Sequence, residues 1–494
     1  METSINIIYF LNHSYQINVT IRKSEVVLLQ EFIIVISCVL LLAMVFSKIA
    51  YRFGIPSLIL FLGMGMLFGS DGIVKIHFDD FVIAEQICSF ALLMIIFYGG
   101  FETNWNKAKP VVIKSVIMST VGTFITAGLT GLFCFYILKM SFWEAMLIGS
   151  VLSSTDAASV FSILKSNNLN FKFGLASLLE MESGSNDPMS YMLSVICIQI
   201  LTMQSSTSIP LLLIKQVVFG VGIGILSAYL CIIILKRFEL HATGLYPIFM
   251  LGMVLFSFEI SLALGGNGYI CAYLFGIIIG NQSFPHKKSI RLFFDGIGWL
   301  MQILLFFTLG LLSFPSQFVY NFIPGLFIAM FITFIARPIA TALLFTPFHM
   351  PFQHQLLVNW VGFRGAASIA FSIMAVSKIP ALENDLFHIV FLVSIFTVTL
   401  QGTLLPLVAR KLNLVEEEES VWKTFTDYEE GHLSQLYEMI ITSGHDWENK
   451  KIMEANIDKN LLIVGVKRGN QMLMPKGDLC LETNDTIIFS QRDV

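Results

Sequence analysis

Charge is scarce in this sequence. Asp, Glu, Lys and Arg make up 13% of the 494 residues, about half the share found in soluble globular proteins. That shortage excludes an ordinary soluble domain. Neither sign of charge dominates: 30 basic and 34 acidic side chains leave a formal net charge of −4, and the acidic excess falls largely after residue 415. No electrostatic footprint for nucleic acid follows from this balance, and no nucleic-acid partner is expected. Cysteine offers no framework. Cys38, Cys88, Cys134, Cys197, Cys231 and Cys271 fall in apolar stretches, Cys480 stands alone, and no C-x-x-C occurs, so they read as small buried hydrophobes. There is no Walker motif, no G-x-G-x-x-G in a βαβ setting and no metal-ligand cluster. ATP-driven pumping is therefore not expected, no cofactor is required, and the chain does not read as an enzyme. Gly265-Gly266-Asn267-Gly268-Tyr269 is not the T-V-G-Y-G of a potassium filter. Residues 1–26 have no basic start and no small-residue cleavage site, so no cleaved signal is expected.

What is abundant is apolar surface. Hydrophobic residues make up 55% of the chain and the mean hydropathy is +0.76. Apolar runs long enough to cross a bilayer recur from residue 28 to 411. They predict spans at 28–49, 55–70, 81–100, 111–137, 142–165, 173–201, 210–235, 244–262, 265–281, 292–313, 320–345, 355–377 and 386–409. The expected fold is an all-α polytopic membrane protein of about 13 transmembrane helices, with bilayer lipid around it. Basic residues set its orientation. Arg52, Lys107, Lys109, Lys114, Lys165, Lys172, Lys236, Arg237, Lys287, Lys288, Arg291, Arg410 and Lys411 fall in one set of alternate loops. The opposite loops hold little beyond Lys75, Lys139 and Lys378. This bias predicts an extracytoplasmic N-terminus and a cytoplasmic C-terminus in the inner membrane.

One apolar span keeps its acids. Glu182-Ser183-Gly184-Ser185-Asn186-Asp187-Pro188 sits inside 173–201, where each carboxylate costs about 2.5–3.5 kcal/mol to insert. Ser183 and Asp187 share one helical face, while Glu182 and Asn186 share an adjoining one. Asp187 can therefore share a cation with Ser183 Oγ, while Glu182 needs a counter-charge. Pro188 removes one backbone donor and frees a carbonyl about one turn earlier, a further oxygen for a hard monovalent cation. Asp156, beside Thr155, is a second mid-span acid. Arg337 and Arg364 are the bases available in later spans, and each must be paired. Glu182 is expected to pair with Arg337, leaving Asp187 and Asp156 for ion chemistry. The alternative gives Glu182 to Arg364, whose other role would be to neutralise charge near crossing helices. A static ion-pair cluster is the competing reading; an excess of acids over bases and the proline argue against it. Asp295 reads as a helix-end acid, and Glu102 and Glu144 as interfacial charges flanking spans.

A weak repeat links two of these stretches. Thr155-Asp156-Ala157-Ala158-Ser159-Val160-Phe161-Ser162-Ile163 is similar to Arg364-Gly365-Ala366-Ala367-Ser368-Ile369-Ala370-Phe371-Ser372-Ile373. One carries an acid and the other a base, as in transporters whose ion site lies between interrupted helices of inverted repeats.

Taken in order, Ser153 through Ala158, Glu182 through Pro188, Gly265 through Gly268, Arg337-Pro338 and Trp360 through Ala366 resemble the bacterial cation:proton antiporters of the NhaP type. That larger group includes animal sodium/proton exchangers, and the resemblance covers residues 28–411. It implies two inverted repeats, unwound fifth and twelfth helices that cross at the midplane, and a homodimer. It carries ligand roles onto Thr155, Asp156, Ser183 and Asp187, with Glu182, Asn186 and Arg337 in support; Arg364, from the pairing argument, joins that supporting network. It further implies that Asn-Asp, in place of Asp-Asp, marks electroneutral exchange, with one proton traded for one K+ or Na+ at Asp187.

Beyond the spans, 412–430 reads as an acidic linker and 431–494 as a small α+β domain, and 1–27 as an extracytoplasmic segment. Strands are predicted at 436–441, 461–466, 471–474 and 486–489, and a short helix at 447–454. Pro475-Lys476-Gly477-Asp478 and Asn484-Asp485-Thr486-Ile487-Ile488 are similar to the TrkA-C domain. The resemblance implies a regulatory module binding a nucleotide, a cyclic dinucleotide or another small molecule, and its frequent company with potassium transport favours K+. Some relatives of this type carry a further cytoplasmic domain after the point where this sequence stops, so a different regulatory input is expected. The leading reading is a potassium/proton antiporter; a sodium/proton antiporter is the nearer alternative, and a tail-gated cation channel the one from a different class.

Overall fold

The computed structural model describes residues 33–50, 52, 56–156, 160, 171–203, 208–238, 240–379, 381–415, 436–442, 444–455, 457, 461–469 and 471–491. The chain divides into two units, Met1–Glu416 and Glu417–Val494. The first is helical: α1 (Ile33–Ala50), α2 (Ser57–Phe68), α3 (Phe81–Glu102), α4 (Val112–Tyr136), α5 (Phe142–Val151), α6 (Leu175–Leu201) and α7 (Ile209–Arg237). It continues with α8 (Leu245–Ala263), α9 (Gly268–Gly280), α10 (Lys287–Leu311), α11 (Pro315–Phe345), α12 (Phe352–Trp360), α13 (Ala366–Lys378) and α14 (Leu386–Lys411). Each of the thirteen predicted ranges contains helix. Eight of the helices (α1, α3, α4, α7, α8, α10, α11 and α14) are long and apolar enough to cross a membrane. The 27-residue α6 is long enough but is not among them, because its polar run lowers its hydropathy.

Lipid is the missing solvent for the outer faces. On α7, Ile214, Val218 and Leu226 are 59%, 58% and 69% exposed, an apolar stripe that water would not tolerate. The inner helices pack through small residues. An added Cβ at Gly276 or Gly280 of α9 would stand 2.4 Å from the Phe97 carbonyl oxygen or 2.0 Å from that of Phe101 on α3. Only a bare backbone allows that approach. The side chain of Asp80 starts α3 by accepting from Val82 N (2.9 Å) and Ile83 N (3.0 Å), a cap worth about 1 kcal/mol.

Two helices are interrupted. Helix α5 stops at Val151, and residues 154–156 carry no helical backbone; residues 157–159 and 161–170 lie outside the described ones, and with them most of the first repeat segment. Between α12 and α13, residues 362–365 are likewise non-helical. The two breaks meet. Asp156 N donates to the Phe363 carbonyl (3.0 Å), and Arg364 Nη1 donates to the Ser154 carbonyl (2.8 Å). Unwound backbone at membrane depth survives only where such protein partners exist. One helix further back from each break, α4 and α11 carry a π turn, at Met118–Gly122 and Ile332–Ala336. A third, at Val398–Gly402 in α14, is tied to the second by Gln401 Nε2 on Thr333 Oγ1 (2.9 Å).

Two expectations need correction here. Helix α10 starts at Lys287, not 292: its first turn is basic and escapes an apolar threshold. Asp295 is therefore inside the helix and accepts from Tyr98 Oη (3.0 Å). Glu144 is not a solvated interfacial charge. It is buried, accepting from Glu383 N (2.8 Å) and Asn384 Nδ2 (2.7 Å), because the segment before α14 folds over it. Helix α6 runs on through Pro188, whose missing N–H takes one donor from its ladder.

The second unit is an antiparallel sheet of β1 (Leu436–Ile440), β2 (Leu461–Arg468), β3 (Gln471–Leu473) and β4 (Thr486–Gln491), in the order β1-β4-β2-β3. The helix expected at 447–454 is reduced to a 3₁₀ turn at Ile452–Glu454. Backbone groups there are taken by the segment 477–481: Asn449 N reaches the Leu481 carbonyl (2.8 Å), Ile452 N that of Leu479 (3.0 Å) and Met453 N that of Gly477 (3.0 Å). Val466, Leu481 and Ile487 form its buried centre.

Candidate ion-binding site

The crossing of the two breaks gathers the polar residues. Asn186 on α6 holds the unwound strand at two points. Its Nδ2 donates to Thr155 Oγ1 (2.5 Å) and its Oδ1 accepts from Thr155 N (3.2 Å). Thr155 Oγ1 in turn lies 2.9 Å from Ser183 Oγ. One turn along, Asp187 accepts from the hydroxyl of Ser154. Ser154 belongs to the Ser153-to-Ala158 stretch. Nothing in its pattern marks it, because it lies in a stretch without helical periodicity. Asp187 is partly exposed, whereas Ser183 and Asn186 are buried.

Asp156 lies against Gly365. A Cβ added at Gly365 would stand 2.1 Å from Asp156 Oδ2 and 2.3 Å from its Cγ, so a side chain at 365 and the acid at 156 exclude each other. Gly365 is also the residue from which α13 starts, and the positive end of a helix favours a carboxylate. Arg364 is fully buried. Besides its bond to Ser154, its backbone N–H reaches Thr397 Oγ1 (3.0 Å). The guanidinium thus stands at the carbonyl end of α5, where helix polarity is negative.

Glu182 points away from this cluster. Its Oε2 accepts from Arg337 Nη2 (2.9 Å) and its Oε1 lies 2.7 Å from Nη1, with both side chains buried. The carboxylate is neutralised inside the protein, and Arg364 takes the other task. Arg337 packs on Gly362, where a Cβ would meet Nε at 2.6 Å. Asn267, which the sequence presents only as one residue of the Gly265-to-Gly268 run, also reaches the site region. Its Oδ1 caps α9 at Tyr269 N (3.0 Å) and Ile270 N (3.1 Å), while its Nδ2 donates to the Pro188 carbonyl (2.8 Å). An Asn directly before a helix start is the signal that could have found it.

Two broken helices that cross around buried acids define an ion-coupled secondary transporter. A match to the family described as "Sodium/hydrogen exchanger, transmembrane" spans residues 36–411, and the chain belongs to that family. A second match, to the TrkA-C domain, spans residues 436–491. The chain is 35% identical over 391 residues to a protein named K(+)/H(+) antiporter NhaP from Alkalimonas amylolytica, covering 78% of this chain and 68% of that one. It is 32% identical over 472 residues to a K(+)/H(+) antiporter NhaP2 from Shewanella sp. (strain ANA-3), covering 93% and 81%. Among solved structures, the sodium proton antiporter MjNhaP1 from Methanocaldococcus jannaschii at pH 8 superimposes with a TM-score of 0.67 at 22% identity, covering 76% of this chain and 97% of that one. That likeness is one of fold.

Proposed function

We propose that the protein exchanges K+ for H+ across the cell membrane, one for one and without net charge movement. The observation that carries the reading is the contrast at α6, where Asp187 takes its hydrogen bond from a hydroxyl and Asn186 holds the backbone. An amide cannot take up a proton, so one carboxylate trades one proton for one monovalent cation. Asp187 is the exchanging group; Thr155, Ser183 and Asp156 supply further oxygens; Glu182, Asn186, Arg337 and Arg364 hold the frame. Cation and proton compete for Asp187, and the carrier reorients when one of them is bound. The names of the relatives favour K+ over Na+.

The remaining assignments belong to the same reading. Residues 28–411 carry the exchange, 412–430 link, and 431–494 regulate by binding a nucleotide, a cyclic dinucleotide or another small ligand, with the C-terminus in the cytoplasm. The working form is a homodimer.

Proton movement in proteoliposomes tests the reading, with K+, Na+ or an inert cation added. The expected result is proton movement driven by K+ and little by Na+. Movement driven mainly by Na+ would replace the cation while keeping the site. K+ flux without coupled protons would replace exchange by a channel.

A further inference from the structure

A second acid stands on the exposed side of α6. Glu180, Gly184 and Asp187 are spaced i, i+4 and i+7, which places them on one helical face. All three are partly exposed, whereas Glu182, Ser183 and Asn186 are buried. The open face of α6 therefore runs from Asp187 back through Gly184 to Glu180, a rise of about 10 Å. It points toward the membrane face that bears Lys107, since Glu180 lies in the field of Glu102 and Lys107. Glu102 is itself neutralised by Arg291, whose Nε donates to Oε1 (2.8 Å).

Midway along this face lies Tyr273 of α9. A Cβ added at Gly184 would stand 2.7 Å from Tyr273 Cε2 and 3.0 Å from its Oη, so the absent side chain makes room for the phenol. Tyr273 is 5% exposed, and its hydroxyl is buried without a hydrogen bond of good geometry among the described residues. Glu180, Thr103 and Ser185 surround it, with Asp187 beyond. The hydroxyl protons of Thr103 and Ser185 point to the carbonyls of Gly99 (2.8 Å) and Met181 (2.6 Å). Their oxygens therefore keep lone pairs free to accept. A buried phenol that meets its neighbouring oxygens only in poor geometry is left under-satisfied, which is costly unless something visits it. A carboxylate, a phenol and two hydroxyl oxygens on the open face of the helix that bears Asp187 are a donor set for a hard monovalent cation.

We propose that Glu180 and Tyr273, with Thr103 and Ser185, form a transit site for the exchanged cation between Asp187 and the Lys107 side of the membrane. The inference rests on the exchange reading above. Glu180 shortens the dry path by giving the cation a counter-charge before it reaches Asp187, and Tyr273 offers an oxygen where water is stripped. The site binds on the way and takes no part in the competition at Asp187.

The test uses the full-length protein reconstituted in proteoliposomes, with K+ added from one side at a time. Glu180→Gln should raise the half-saturating K+ concentration from the Lys107 side by about tenfold, the loss expected for one charge-assisted ligand. The value from the opposite side and the maximal rate should stay close to wild type. Glu180→Asp should restore most of the loss, and Tyr273→Phe should shift the same constant in the same direction by a smaller factor. Unchanged constants in Glu180→Gln and Tyr273→Phe, or an equal shift from both sides, would overturn the transit site. If Glu180→Gln does not assemble, Tyr273→Phe and Glu180→Asp decide the question by the same sidedness. Asp187→Asn run in parallel separates the two claims. If it still exchanges, the exchange reading has failed; if it is silent while Glu180→Gln behaves as wild type, only the transit site has.

Discussion

Two carboxylates five residues apart on α6 have opposite surroundings. Glu182 is enclosed and held by both terminal nitrogens of Arg337. Asp187, one turn further, is partly exposed and meets the hydroxyl of Ser154. The helix is the same and the chemistry of the acids is the same, so the difference lies in what the neighbouring elements offer. A guanidinium gives a permanent counter-charge and freezes its acid. A hydroxyl can donate to a carboxylate or yield it to a cation. We read Glu182 as scaffold and Asp187 as the group that changes partner.

The largest break in this contrast comes from removing the acid at each position. Asp187→Asn should reduce cation-driven proton movement to the level of empty liposomes while the protein stays folded and monodisperse. Glu182→Gln should do the reverse in kind, lowering stability by about 3–5 kcal/mol because it leaves Arg337 buried without its charge. Thermal unfolding in detergent reads this. Replacing Glu182 and Arg337 together by apolar residues should recover much of the loss; equal damage in the single and double variants would show that the pair is not what holds the frame.

A smaller effect sharpens the contrast from the side of the partner. Ser154→Ala removes the donor to Asp187 and leaves the acid in place. The expected cost is about 1 kcal/mol, a several-fold rise in the half-saturating K+ concentration. A variant as silent as Asp187→Asn would mean that Ser154 is itself indispensable.

The smallest effect lies in the second unit, which has its own frozen acid. Arg468 holds Asp485 through Nε (2.8 Å) and Nη2 (2.7 Å). The hydrogen bonds from Arg468 keep the Asp485 carboxyl below the usual carboxylate range. A lowered folded value means that the pair stabilises above the unfolded value of about 4. That contribution is lost as pH falls through the lower folded value. Hydrogen exchange of β2 and β4 amides in the full-length protein should speed up below about pH 4, and Asp485→Asn should flatten that dependence. Wild-type protection unchanged through that range would contradict the assignment.

Much of this was legible in the chain. The i, i+4 spacing separates Glu182 from Asp187, and the apolar runs locate helix in all thirteen ranges. What stayed hidden depends on chain segments far apart in sequence. Ser154 sits in unwound backbone, where no period shows which way it faces. Glu144 looks like any span-end acid until residues 383 and 384 fold over it. Asn267 looks like packing until its amide reaches the Pro188 carbonyl. Trp447 to Glu454 has a helical look, yet the segment 477–481 competes for its backbone donors and wins. In each case a partner from elsewhere overrides the local pattern.

The central claim is that Asp187 holds either the proton or the cation. Proton release on adding K+ to the purified protein in weakly buffered detergent solution tests it without any transport step. The account predicts about one proton released per K+ bound, as expected when a ligand must lose its proton to bind a cation, and none from Asp187→Asn. Release that persists undiminished in Asp187→Asn, or K+ binding to the wild type without proton release, would contradict it.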